Sequence, residues 1–123
     1  MGTFRVDATV ANLAEPSLRV TVALLVDTGA TWTTLPDDIA AHIGAAPLGT
    51  RRVRLADGRV EEWPAAAIYI ILDGHEGPTF CLIGPRGGPS LLGAVTLEEL
   101  GLAVDPAARR LVPATGYLMS LAV

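Results

Sequence analysis

The longest uninterrupted apolar run in the sequence, Ala65–Leu72, has eight residues, and that ceiling does most to limit the fold. A helix that crosses a bilayer needs about 20 such residues, and runs of four to eight bounded by turn residues are the length of strands. Phe4–Asn12 alternates apolar and polar residues, as a half-buried strand does. After Pro16, Leu18–Val26 reads as its hairpin partner, and the stretch Val22–Val26 is apolar throughout, the pattern of a strand covered on both faces. "TWTTLP" at 31–36 is β-branched and aromatic, a short strand.

Further strands follow, separated by turn chemistry. "TRRVRLADGRVEEWP" holds an Asp57-Gly58 pair between two alternating runs, a strong hairpin signal. "AAAIYIIL" and "TFCLIG" read as two more buried strands joined by the turn "DGHEGP", and "GPRGGPS" reads as a loop. Two short helices are expected. One is "DDIAAHIG", with acids in its first turn and Gly44 at its end, and the other runs from about Val95 to Leu100 behind an apolar strand that enters Gly93. A hairpin turning at "DPAAR" and a C-terminal strand "YLMSLAV" complete the chain. The expectation is a single all-β domain over residues 1–123 with one or two short helices.

Composition narrows the function. Half the residues are hydrophobic and the mean hydropathy is +0.44, so on a domain this small part of the apolar excess is expected to face a partner subunit. The net charge is −4, every one of the nine bases is Arg, and "RRVR" at 51–54 is the densest cluster. In a strand its two faces split it, which argues against nucleic-acid binding. Absence of Lys beside abundant Ala, Arg and Gly points to GC-rich bacterial coding. No membrane span or secretory signal is expected, and the lone Cys81, read as a small buried hydrophobe, fits a reducing cytoplasm. His42, on a helix surface, and His75, in a turn, have no partner at metal-ligand spacing, so neither metal nor cofactor is expected.

The anomaly is Asp27. An apolar strand delivers a carboxylate straight into a Thr28-Gly29 turn, although Asp is poor in strands and costly to bury without a partner. "LLVDTGATWTTLP" resembles the active-site signature of the retropepsin-like aspartic proteases. The resemblance extends in order over residues 18–113: the "RLADGR" hairpin falls where that family has its flap, and "SLLGAVTLEELGLAVDPAARRLVP" resembles its second hallmark, an apolar pair and Gly leading into a short helix.

The resemblance implies a retropepsin-like acid-protease barrel that is half of a two-fold symmetric enzyme. An aspartic protease needs two carboxylates sharing one proton, and a chain with a single Asp-Thr-Gly would obtain the second from another copy. It thus implies an aspartic endopeptidase acting as a homodimer on peptide or protein substrates, with Asp27 catalytic. Thr28 would bond across the dimer and Gly29 would admit backbone close to the dyad and accept from substrate. Ala30, where two-lobed relatives carry Ser or Thr, implies a less acidic working range. Ala56, Asp57 and Gly58 would form the flap tip over an extended peptide. Pro113–Val123 would pair with its counterpart or with the N-terminal strand across the dimer.

Two departures from the viral pattern point to a cellular, bacterial branch as the expectation. Ala94 stands where viral members carry a bracing Arg, and the flap offers one Gly, Gly58. The alternative reading is a retropepsin-like binding or assembly domain with little or no catalysis. Trp32 and Trp63 could line substrate pockets, although a core or interface position is favoured, and Glu61 and Glu62 read as a solvated strand face rather than a specificity device.

Overall fold

The computed structural model describes residues 3–116. β1 (Phe4–Asn12) and β2 (Arg19–Val26) form an antiparallel hairpin with Phe4 opposite Val26 and Ala11 opposite Arg19. Val22, Leu24 and Val26 are buried while Ala23 is exposed, so β2 alternates and is not covered on both faces as its apolar run suggested. Ala and Leu are ambiguous in this respect, because a small or half-covered apolar side chain can face outward at little cost.

β3 (Thr33–Pro36), all four residues buried, runs straight into α1 (Asp37–His42), with Asp37 and Asp38 in the turn where the helix dipole favours negative charge. His42 is exposed on α1, as expected. β4 (Gly49–Arg54) pairs antiparallel with the first half of β5 (Val60–Leu72). The sequence suggested two strands divided near Pro64; the structure has one strand of 13 residues. Proline is tolerated because residue 64 has β4 alone beside it, β6 joining only from residue 65 onward.

β5 returns into β6 (His75–Gly84) through a two-residue turn, with Asp73 at φ 52 and Gly74 at φ 80. Both left-handed residues define the turn type that matches strand twist. The turn is therefore shorter than "DGHEGP", and His75 belongs to the strand, where its Nδ1–H donates to the Leu100 carbonyl at 2.9 Å. β7 (Leu91–Leu92) leads to α2 (Ala94–Leu100), which ends at Gly101 in the left-handed conformation, φ 69. β8 (Leu102–Asp105) and β9 (Arg110–Pro113) make a separate hairpin. The expected strand "YLMSLAV" lies outside the described residues.

The main sheet runs β1-β2-β7-β3-β6-β5-β4, and an additional β1–β5 pairing closes it into a barrel with β4 at the edge. Side chains from nearly every strand meet inside, among them Val10, Leu24, Leu35, Ile68, Ile70 and Leu92, with Leu97 and Leu100 of α2 closing one end. The placement of β7 sets up the site. It enters between β2 and β3, parallel to β2 and antiparallel to β3, so it lies directly beneath the loop that joins them.

Candidate active site

β2 ends at Val26 and β3 begins at Thr33, so Asp27 stands on the connecting loop above β7. Four consecutive residues after β7 begins hold that loop from below. Asp27 N–H donates to the Leu92 carbonyl at 3.1 Å, Ala94 N–H to Ala30 at 2.9 Å and Val95 N–H to Thr31 at 3.0 Å. The fourth bond runs from Gly93 N–H to the Thr33 hydroxyl at 3.1 Å. Gly93 must be glycine for this approach: a Cβ there would lie 2.6 Å from the Trp32 oxygen and 2.7 Å from the Thr33 nitrogen, inside the repulsive wall. The Leu91-Leu92-Gly93 motif thus provides a strand with no side chain at the point where two backbones press together.

The loop also closes on itself. Asp27 Oδ1 accepts the Gly29 N–H at 3.0 Å, and the Asp27 carbonyl accepts Ala30 N–H at 3.0 Å. A Cβ at residue 29 would stand 3.2 Å from Asp27 Oδ1, so glycine keeps the approach to the carboxylate open. Asp27 is half-buried and lines a cleft of about 640 Å³ together with Gly29, Ala30 and Ala56. Among the described residues no other carboxylate lines that cleft. Thr28 is exposed and does not line the cleft.

Opposite stands the hairpin between β4 and β5. Leu55 N–H donates to Arg59 at 2.8 Å and Gly58 N–H to Leu55 at 2.9 Å, with Gly58 at φ 90. Asp57 accepts the Arg59 backbone N–H at 3.0 Å and its guanidinium at 2.7 Å. These bonds, the backbone one foremost, hold the Asp57 carboxyl below its ordinary value of 3.8. Asp57 is thus a turn residue. Of the three residues expected at the tip, only Ala56 reaches the cleft; Asp57 and Gly58 shape the turn behind it.

A core or interface position was favoured for both tryptophans; both are half-buried and line the cleft. Trp63 lies across Gly84, whose added Cβ would stand 3.2 Å from the ring, and its indole N–H donates to Glu61 Oε1 at 2.9 Å. Glu61 is accordingly half-buried and also meets Arg59 at 3.3 Å, not a freely solvated residue; Glu62 is exposed, as expected. No local pattern separates a cleft tryptophan from a core one: Trp63 lies in the part of β5 that pairs with β4 alone, and Trp32 on the loop before β3. Cys81 is buried in β6, and burial pushes its thiol up to about 12, so it is an inert core residue.

Sequence reasoning missed a polar cluster under the loop. Thr33, Thr79 and Thr96 are buried and their hydroxyls touch in series, with Glu99 at the outer end. These residues come from β3, β6 and α2, and threonine in a strand reads locally as β-propensity. Among the described residues no cluster of His, Cys, Asp or Glu has the makeup of a metal site. A second concavity, of about 510 Å³, lies away from Asp27 between β1 and the β5–β6 and β8–β9 turns. It is walled largely by exposed charged residues such as Arg5 and Asp73.

A closed barrel whose Asp-Thr-Gly loop rests on an inserted Leu-Leu-Gly strand, with a hairpin over the cleft, defines a retropepsin-like fold. Residues 19–99 match the family described as "gag-polyprotein putative aspartyl protease", and the chain belongs to this aspartyl protease family. Among solved structures it is similar to EIAV protease complexed with the inhibitor HBY-793, at 17% identity and a TM-score of 0.64, over 81% of this chain and 89% of that one. At that identity the likeness concerns the fold. No curated protein matches the chain.

Proposed function

We propose that this chain is one half of a homodimeric aspartic endopeptidase. The supporting observation is the cleft itself: it lies between the Asp27 loop and the β4–β5 hairpin, yet among the described residues a single carboxylate, Asp27, lines it. One carboxylate cannot both take a proton from water and give one to the scissile carbonyl. A second copy, related by a two-fold axis passing near Asp27, brings its own Asp27 alongside the first.

In the dimer the two carboxylates share one proton, because like charges about 3 Å apart cannot both ionise. The ionised member removes a proton from water as it attacks the peptide carbonyl. The protonated member donates to the carbonyl oxygen, where negative charge develops. The tetrahedral intermediate then collapses as a proton passes to the leaving nitrogen, and the dyad returns to its starting state. The pair titrates as a unit, giving a bell-shaped dependence of rate on pH. Gly29 keeps the approach clear, and Thr28, exposed on the loop, meets the partner across the two-fold axis. The hairpin around Ala56 closes over bound substrate and opens to release it.

Light scattering at micromolar concentration tests the assembly, with about twice 12.8 kDa expected. Digestion of a peptide pool, with and without pepstatin, tests the chemistry. A monomer that cleaves peptides overturns the shared dyad. A dimer that cleaves nothing over pH 3.5 to 8 favours a binding or assembly domain.

A further inference from the structure

The hydroxyl chain beneath the catalytic loop has a direction, and the direction gives it a task. Thr79 Oγ1 lies 2.7 Å from Glu99 Oε1, 2.7 Å from Thr96 Oγ1 and 3.4 Å from the Phe80 carbonyl. Thr96 Oγ1 lies 2.6 Å from Thr33 Oγ1, which accepts Gly93 N–H at 3.1 Å. A carboxylate only accepts, and each hydroxyl has one hydrogen to give. Thr79 therefore gives its hydrogen to Glu99, the Phe80 carbonyl being too far to compete well. Thr96 must then donate to Thr79, and Thr33 to Thr96. With its hydrogen committed downward, Thr33 presents only lone pairs upward, the state needed to accept Gly93 N–H.

Thr33, Thr79 and Thr96 are at most 2% exposed, so water is excluded and a broken link leaves a buried polar group unmatched. Glu99 is exposed on α2, yet its carboxylate sets the polarity of every link inward. Gly93 stands next to Leu92, whose carbonyl holds the Asp27 amide, so a slack Thr33–Gly93 bond loosens the support of the catalytic loop.

We propose that Thr96, Thr79 and Glu99 are positioning residues for Asp27, acting through Thr33 and Gly93 and touching no substrate themselves. The proposal rests on the aspartic-peptidase reading. Thr96→Val keeps the shape and removes the hydroxyl. It should lower kcat about tenfold with KM within about twofold, since misplacing a reacting group costs rate more than binding. Thr96→Ser should restore most of the rate. Glu99→Ala, a surface change that leaves the core packed, should lower kcat about threefold with the same split, while Glu99→Gln, which still accepts, should not. Glu98→Gln is the control.

Amide hydrogen exchange gives a readout independent of turnover: Gly93 should lose protection in Thr96→Val and Glu99→Ala and keep it in Glu99→Gln. A parent that cleaves peptides while Thr96→Val and Glu99→Ala match it in kcat and in Gly93 exchange overturns the proposal and leaves the peptidase reading standing. A loss in Thr96→Val that Thr96→Ser does not reverse also overturns it. A parent that cleaves nothing removes the peptidase reading, and this proposal with it.

Discussion

Residues 27–33 are held from below by Leu92–Val95, whereas the hydrogen bonds of residues 55–59 stay within their own hairpin. The two regions meet at the same cleft, one carrying Asp27 and the other Ala56. The Asp27 loop is fixed by hydrogen bonds to Leu92–Val95, a segment about sixty residues away along the chain, so moving it means moving β7 and α2. The hairpin is exposed from Ala56 through Val60 and closed by its own turn bonds. On the proposed function, rigidity lies where charge must be placed and freedom where a polymer must enter.

The strongest way to break this comparison is to remove the carboxylate and leave its support intact. Asp27→Asn should reduce peptide cleavage by about 10²–10⁴-fold or more, as loss of the acid–base pair requires. Amides facing each other across the proposed two-fold axis do not repel, so melting temperature and dimer mass should be no lower than in the parent. Residual cleavage at the parent rate would move the chemistry away from Asp27.

Gly93→Ala tests the fixed region directly. The added methyl meets the Trp32 carbonyl and the Thr33 amide, rigid backbone on both counts. Urea denaturation should show a loss of about 3 kcal/mol, the upper range for overpacking. A loss below about 1 kcal/mol would mean that the loop is less tightly held than its geometry indicates.

Gly58→Val tests the free region. Gly58 sits at φ 90 with no neighbouring atom where its Cβ would go, so the strain is in the backbone alone, about 1–2 kcal/mol. Cleavage should suffer more than melting, because the change alters the lid and not the barrel. If cleavage is normal, the hairpin is not the lid.

The smallest effect concerns Asp57. Its folded-state value lies below 3.8 because Arg59 bonds favour the charged form. A depressed carboxyl contributes stability above its unfolded value, and that contribution is lost as pH falls through the folded value. An NMR titration of Arg59→Ala should move the Asp57 midpoint only part of the way back toward 3.8, because the residue 59 backbone amide remains. Chemical-shift changes should stay within residues 54–61 and leave residues 27–33 unmoved.

Much of the fold was legible because its signals are local. Asp57-Gly58, Asp73-Gly74 and the "DPAAR" stretch each mark a hairpin by turn chemistry, and the acids at Asp37 and Asp38 mark a helix start. Asp27 was legible too, as a carboxylate that an apolar strand has no reason to carry. Pro64 misled the reading because a proline breaks a strand only where its amide is needed, and need depends on which neighbours flank it. Trp63 in the cleft, a position weighed but not favoured, and the partial burial of Glu61 depend likewise on long-range context: which face of a strand is open depends on where the sheet ends.

The sequence by itself determined the strand content, the hairpins and the residue that carries the proposed chemistry, since turn propensity and side-chain alternation act over a few residues. The tertiary structure alone decided that β7 inserts between β2 and β3, that Gly93 lies against Trp32, and that three threonines line up to Glu99. Those facts join segments tens of residues apart. Closing such loops costs entropy that only the assembled core offsets, so no short stretch of the sequence carries their mark.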